Sequence, residues 1–98
     1  MITLENLMNP KYLEILRLLK DKPVQASRLA EKVSFSESIF YEKLEKLKEW
    51  GLIEEEAGIN ELGRPVKLYR LTPLGRKVLE KFEEVEEILR SKVAGAIT

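Results

Sequence analysis

The sequence predicts a mainly α-helical domain of the α+β class, with one β-hairpin separating three short helices from a long last helix. Three observations lead there. Apolar residues recur at helical spacing in four stretches, two of which open on a capping residue followed by proline, Asn9-Pro10 and Thr72-Pro73. Two short runs, Leu52 to Glu56 and Val66 to Leu71, read as strands on either side of a glycine-punctuated segment. At 98 residues, 44% hydrophobic and 35% charged, the chain has material for one core, spanning residues 1–98, and no more.

The first helix runs from Asn9 to Lys20. Tyr12, Leu13, Leu16 and Leu19, widened by Ile15, form its apolar stripe, and Asp21-Lys22-Pro23 ends it. A second helix fits Gln25 to Lys32, with Leu29, Ala30 and Val33 as a small buried face. Val33-Ser34-Phe35 is a tight connection, after which Ser36 caps a third helix from about Glu37 to Trp50. Phe40, Leu44 and Leu47 cluster on its inner face. Its outer face holds Ser38, Glu42, Glu45 and Glu49, flanked by Ile39 and Lys46 on one side and by Tyr41 and Lys48 on the other. Gly51 provides the left-handed stop. The two strands follow, with 57–65 as a long overhanging tip. The last helix then runs from Thr72-Pro73 to about Val93, with Leu74, Val78, Phe82, Val85 and Leu89 on one face and Leu79 and Ile88 beside them.

Composition narrows the function. Cysteine and histidine are both absent, which removes disulfides, thiolate nucleophiles, imidazole bases and Cys/His metal sites. No spacing of the remaining carboxylates, lysines, tyrosines and hydroxyls calls for chemistry, so neither an enzyme nor a metal or cofactor is expected. No apolar run approaches the roughly 18 residues of a membrane span, and Met1 to Met8 lacks the features of a secretion signal, so a cytoplasmic location is expected. Scarce Gln and Asn beside abundant Glu, Lys and Arg fits a thermophile's composition.

The formal net charge is zero, yet the charge is sorted along the chain. Between Gly51 and Gly63 stand Glu54, Glu55, Glu56 and Glu61 with no base. Between Arg64 and Lys77 stand Arg64, Lys67, Arg70, Arg76 and Lys77 with no acid. A basic face on a neutral protein is one arrangement this allows.

The stretch Val33 to Ile53, with Ser36, Phe40, Leu44, Leu47 and Gly51-Leu52-Ile53, resembles the recognition-helix segment of winged helix-turn-helix transcription regulators. Gly63 to Glu80, GRPVKLYRLTPLGRKVLE, is similar to the second wing strand and following helix of that superfamily, especially its small archaeal and bacterial members of the ArsR, PadR and MarR type. The resemblance covers Asn9 to Glu80. It implies that residues 9–72 form a helix-turn-helix plus wing that binds double-stranded DNA, with the third helix in the major groove and the wing along the backbone or in an adjacent minor groove.

Carried across by position, the reading set is Ser36, Glu37, Ser38, Ile39, Tyr41, Glu42 and Glu45. Here the sequence departs from the superfamily's usual basic or amide-rich face, because glutamates meet a phosphate-lined groove with repulsion. A glutamate also accepts from cytosine N4, and Tyr41 suits a thymine methyl or a phosphate. The alternative for Glu42, Glu45 and Glu49 is a solvated face bridged to Lys46 and Lys48. Lys43 and Lys46 suit phosphates flanking the groove, as do Arg28 and Lys32 at the end of the second helix. Arg64, at a Gly-Arg-Pro tip, suits a narrow minor groove, with Lys67 beside it. Thr72 reads as a cap, and Trp50, Tyr69 and Leu71 as core.

Residues 73–94 exceed what the core of one such domain needs. The stripe Leu74, Val78, Phe82, Val85 and Leu89 suits pairing with a second copy, and Ile2, Leu4 and Leu7 suit joining that interface. Folding back on the first helix is the alternative. The expectation is therefore a homodimeric, sequence-specific repressor with no separate effector domain. Two rivals stand beside it: a winged-helix module for protein contacts, and an architectural binder indifferent to sequence.

Overall fold

Asn9, Ser36 and Thr72 cap helices at the predicted places. In the computed structural model, which describes residues 3–96 and side chains as far as Ser91, α1 spans Leu4–Leu7 and α2 spans Pro10–Leu18. Ile2, expected at the dimer surface, lies outside the described residues. Asn9 Oδ1 accepts from the Lys11 amide at 3.0 Å, with Pro10 in the first turn. The α1 turn, capped by Thr3 and anchored by the buried Leu7, is too short to leave a periodic signal.

Val24–Gln25 form β1, and α3 (Ala26–Lys32) starts one residue later than predicted because Gln25 belongs to that strand. α4 covers Glu37–Glu49. Ser36 Oγ accepts from the Ile39 amide at 3.4 Å, and Gly51, at φ +74°, closes the helix. The Leu52 amide reaches the Leu47 carbonyl and the Gly51 amide the Lys48 carbonyl, both at 3.0 Å, satisfying end carbonyls that would otherwise lack donors.

The hairpin is longer and its tip shorter than the sequence suggests. β2 spans Ile53–Ile59 and β3 spans Pro65–Leu71, paired antiparallel from Ile53↔Leu71 at the base to Ile59↔Pro65 at the end. Ala57, Gly58 and Ile59, expected in the tip, continue the ladder. Gly58 belongs there because a β-carbon would stand 2.4 Å from Leu68 Cδ1. β1 adds to the outer side of β3, Val24↔Tyr69 and Gln25↔Leu68, giving a three-stranded sheet in the order β1-β3-β2.

The core joins Tyr12, Ile15, Leu16 and Leu19 of α2 and its C-cap to Leu29, to Phe40, Leu44 and Leu47 of α4, and to Leu52, Ile53, Tyr69, Leu71 and Leu79. Trp50 packs at its edge, its ring 5.0 Å from that of Tyr12. Glu14 ties α2 to the turn between α3 and α4, since its carboxylate accepts from the Ser34 amide at 2.8 Å and the Ser34 hydroxyl at 2.9 Å.

α5 (Pro73–Ala96) begins at Thr72, whose hydroxyl accepts from the Gly75 amide at 3.0 Å and donates to the Gly51 carbonyl at 2.6 Å. Leu79 is its buried anchor, and Arg17–Glu86 and Lys20–Glu83 tie it to α2 and the turn that follows α2. Fold-back on α2, the alternative to dimer pairing, thus describes the proximal part of α5. Glu87, Ile88, Leu89, Arg90 and Ser91 are all exposed, so the helix leaves the body after Glu86.

Candidate nucleic-acid interface

The helix-turn-helix packs Leu29 of α3 against the inner face of α4, which leaves one side of α4 in solvent. Ser36, Glu37, Ser38, Ile39, Tyr41, Glu42, Glu45 and Lys46 are exposed there. Ile39 and Tyr41 are only about a third open, at 37% and 39%, and the Tyr41 ring meets Phe40 edge-on at 5.0 Å. Ser36 is also the cap of α4.

Lys43 stands apart from these exposed residues. Expected beside the groove, its side chain is 18% exposed and its ammonium lies 5.0 Å from the centre of the Tyr12 ring, so it is held against α2. The bridging of the α4 glutamates to Lys46 and Lys48, the alternative reading of that face, is not seen. Among the described residues only Glu42 pairs, at 3.7 Å with Lys43, whereas Lys48 reaches across to β2 and Lys46 has no acidic partner.

The charge sorting resolves into cross-strand pairing. Glu54 and Arg70 are Cα partners, with their charged ends 2.5 Å apart, and Arg70 also lies 3.6 Å from Glu56. Lys67, largely exposed, stands 3.9 Å from Glu55. Arg76 donates to the Lys20 carbonyl at 3.1 Å. Three of the five bases are thus engaged within the protomer, Lys67 and Arg70 by glutamates of β2 and Arg76 by a backbone carbonyl. Antiparallel strands that carry acid on one and base on the other neutralise each other at pairing distance. Lys67, on the same strand face as Tyr69 and Leu71, escapes burial because it lies toward the free end of the hairpin.

Arg64 remains the exposed cation of the wing tip, with no acidic partner among the described residues. Its backbone is hydrogen-bonded across the turn: Asn60 Oδ1 accepts from the Leu62 and Arg64 amides at 2.9 Å each, and the Asn60 amide donates to the Arg64 carbonyl at 2.9 Å. Arg28, on α3, sits 3.5 Å from Glu61 of that tip. A groove of about 300 Å³ separates α3 from the wing, with an apolar floor including Val24, Val66 and Leu68 and with Lys22, Arg28 and Lys32 at its rim.

A polar cluster absent from the sequence reading joins α4 to both wing strands. Lys48 Nζ donates to Glu55 Oε1 at 2.7 Å, and the Tyr69 hydroxyl donates to the same oxygen at 3.1 Å. The Lys48 bond, reinforced by Tyr69, holds the Glu55 carboxyl below the usual carboxylate range, and Glu55 in turn raises Lys48. Burial, then the bond to Glu55, raises Tyr69.

The expected dimer stripe divides. Leu74, Val85 and Leu89 are exposed, whereas Val78 and Phe82 are partly buried on the protomer's own core. Ile88, placed beside the stripe in the sequence, is 62% exposed and belongs with Val85 and Leu89. Leu4 and Met8 of the N-terminal segment are exposed as well, while Leu7 packs inward. No described group of acidic side chains has a metal-binding arrangement, and no described helix is long and apolar enough to cross a membrane.

A helix-turn-helix followed by a twisted hairpin, with a short strand from the α2–α3 connection completing the sheet, is a winged-helix fold. Within that class the chain belongs to the PadR-like transcriptional regulator family, whose model matches residues 15–81. Membership implies regulation of transcription through DNA binding. A PadR-like transcriptional regulator from Bacillus cereus is similar over 96% of this chain and 97% of its own, with a TM-score of 0.78 and 23% identity. A PadR-like transcription factor from Bacteroides fragilis is 28% identical, with a TM-score of 0.71 and 87% of each chain covered. A variant of ZitR from Lactococcus lactis is 28% identical, with a TM-score of 0.74 over 94% of this chain and 67% of that one. No curated protein matches the chain.

Proposed function

We propose that the protein is a homodimeric, sequence-specific repressor that acts in the cytoplasm by occupying promoter DNA, without catalysis or cofactor. Residues 9–72 contact DNA and 73–94 dimerise. The outward side of α4, with Ser36, Glu37, Ser38, Ile39, Tyr41, Glu42, Glu45 and Lys46, enters the major groove. Arg64 enters the adjacent minor groove, and Arg28, Lys32 and Lys67 flank the phosphates. Arg28 and Lys67 exchange long contacts to exposed or half-exposed glutamates for phosphate oxygens, a trade that strengthens as the phosphates crowd them.

The observation that carries the reading is a solvent-exposed α4 face together with an exposed arginine on a hydrogen-bonded wing tip in a PadR-like chain. The dimer rests on the distal half of α5. A lone protruding helix of this length is marginal in water, and Val85, Ile88 and Leu89 supply an apolar stripe at the spacing that a second copy covers. Two recognition helices about 34 Å apart then meet successive turns of the groove.

One observation favours a protein-contact module instead: Glu42, Glu45 and Glu49 outnumber Lys46 on the outward face, and most wing bases are paired within the wing. Selection of genomic fragments on the purified protein, followed by anisotropy against a scrambled duplex at two salt concentrations, separates the readings. The repressor gives an inverted-repeat site bound about 1,000-fold tighter than scramble. Sequence-blind binding that collapses with salt gives the architectural reading, and no binding at low salt gives the protein-contact one.

A further inference from the structure

Three consecutive glutamates on β2 do different work. Glu54 and Glu56 lie on the sheet face that carries Arg70, and both pair with it inside the wing. Glu55 lies on the opposite face, directly across from Tyr69, where one of its oxygens gathers the Lys48 ammonium from the last turn of α4 and the Tyr69 hydroxyl from β3. Its other oxygen is 3.9 Å from Lys67. One carboxylate therefore ties the end of the recognition helix to both strands of the wing.

Its height on the hairpin gives that tie mechanical weight. Below it Ile53 and Leu71, and level with it Tyr69, are packed in the core. Beyond it, Ala57, Ile59, Pro65 and Lys67 are exposed, so nothing from the body supports that side of the hairpin. From Glu55 to the Asn60–Arg64 turn is five residues, a lever of about 16 Å. A rotation of about 10° at Glu55 moves the tip by about 3 Å, the full length of a hydrogen bond. The contact that fixes this angle is charged, short and at the surface, with the part-buried Tyr69 bond holding the carboxylate in place.

We propose that Glu55 is the positioning residue for the wing: through Lys48 and Tyr69 it sets the angle between wing and recognition helix at which Arg64 reaches the minor groove while α4 is seated in the major one. This inference rests on the DNA-binding reading. Glu55 itself does not touch DNA, and its neighbours Glu54 and Glu56 stiffen the wing without aiming it.

Two measurements test it. The first uses the selected duplex and the intact dimer, and compares E55Q, R64A and the double variant. Gln keeps the shape and the Tyr69 bond of Glu55 and removes only its charge. R64A and E55Q each weaken binding about tenfold, and the double variant is no weaker than either, because a misaimed wing has already lost its arginine contact. E54Q, which leaves the tie to α4 intact, changes affinity by less than about threefold. Wild-type affinity for E55Q, or a double variant whose loss is the product of the two single losses, overturns the proposal. The second needs no DNA. Nitroxides at Leu62 and Glu49, in dimers diluted with unlabelled chain, give a narrow distance distribution in the wild type and a broadened or shifted one in E55Q. The same distribution in both overturns the proposal even if no DNA site is found, whereas loss of DNA binding by the wild type bears only on the functional reading.

Discussion

Gly75→Ala tests how α5 is joined to the rest of the molecule. A β-carbon at Gly75 stands 1.9 Å from the Leu52 carbonyl oxygen, 2.8 Å from its carbon and 3.2 Å from Leu52 Cα. All three are backbone atoms at the start of the wing, so no rotamer change relieves the clash. The struck oxygen also accepts from the Thr72 amide at 3.1 Å, so its retreat breaks the bond that aligns β3 with α5. Overpacking of this kind costs about 1 to 3 kcal/mol and the lost hydrogen bond about 1 kcal/mol, against about 1 kcal/mol gained from alanine's helix propensity. The expected net loss is about 1 to 3 kcal/mol, a fall in Tm of roughly 5 to 20 °C for a domain of this size. Thermal denaturation by circular dichroism, at matched protomer concentration because dimer stability depends on it, reads the shift. An unchanged or higher Tm refutes the close approach of α5 to Leu52.

Other substitutions separate core, dimer and clasp. Phe40→Ala empties the largest fully buried side chain of α4 and is expected to lower stability by about 3 to 5 kcal/mol in urea titrations. Val85→Glu, at a position 51% exposed, is expected to give a folded monomer by light scattering; a folded dimer places the interface away from distal α5. The Glu55–Lys48 pair contributes stability above the ordinary carboxyl value of 4.5, and that part is lost as pH falls through the lowered value of Glu55. The Lys48 part is complete below 10.5 and is lost only above its raised value. The Tm difference between wild type and E55Q is thus expected at pH 7 and to shrink as pH falls below 4.5 through the lowered value of Glu55. A constant difference over that range argues against the pair.

Elements that carry a periodic stripe or a cap were legible in the sequence. Asn9-Pro10, Ser36, Gly51 and Thr72-Pro73 mark helix ends by local chemistry, and each acts at the place it marks. β1 was not legible, because two residues show no alternation and only the tertiary pairing of Val24 with Tyr69 makes them a strand. The wing was misjudged in length because Gly58 reads as a turn until the Leu68 side chain above it is known. Charge misled for a related reason. The acid and base blocks were visible, but whether they form a face or a ladder depends on register, and Glu54 opposite Arg70 makes a ladder. Lys43 and Lys48 were ambiguous on the helical wheel; Tyr12 and Glu55, distant in sequence, decide where they go.

Hydroxyl-radical and methylation-interference footprinting of the dimer on its selected site tests the central claim most directly. The expected pattern is two groups of interfering guanine N7 positions, about 10 base pairs apart on one face of the duplex, each flanked by a minor-groove segment protected in wild type and open to cleavage in R64A. A single protected patch, or protection that R64A leaves unchanged, contradicts a dimer that reads with α4 and anchors with the wing.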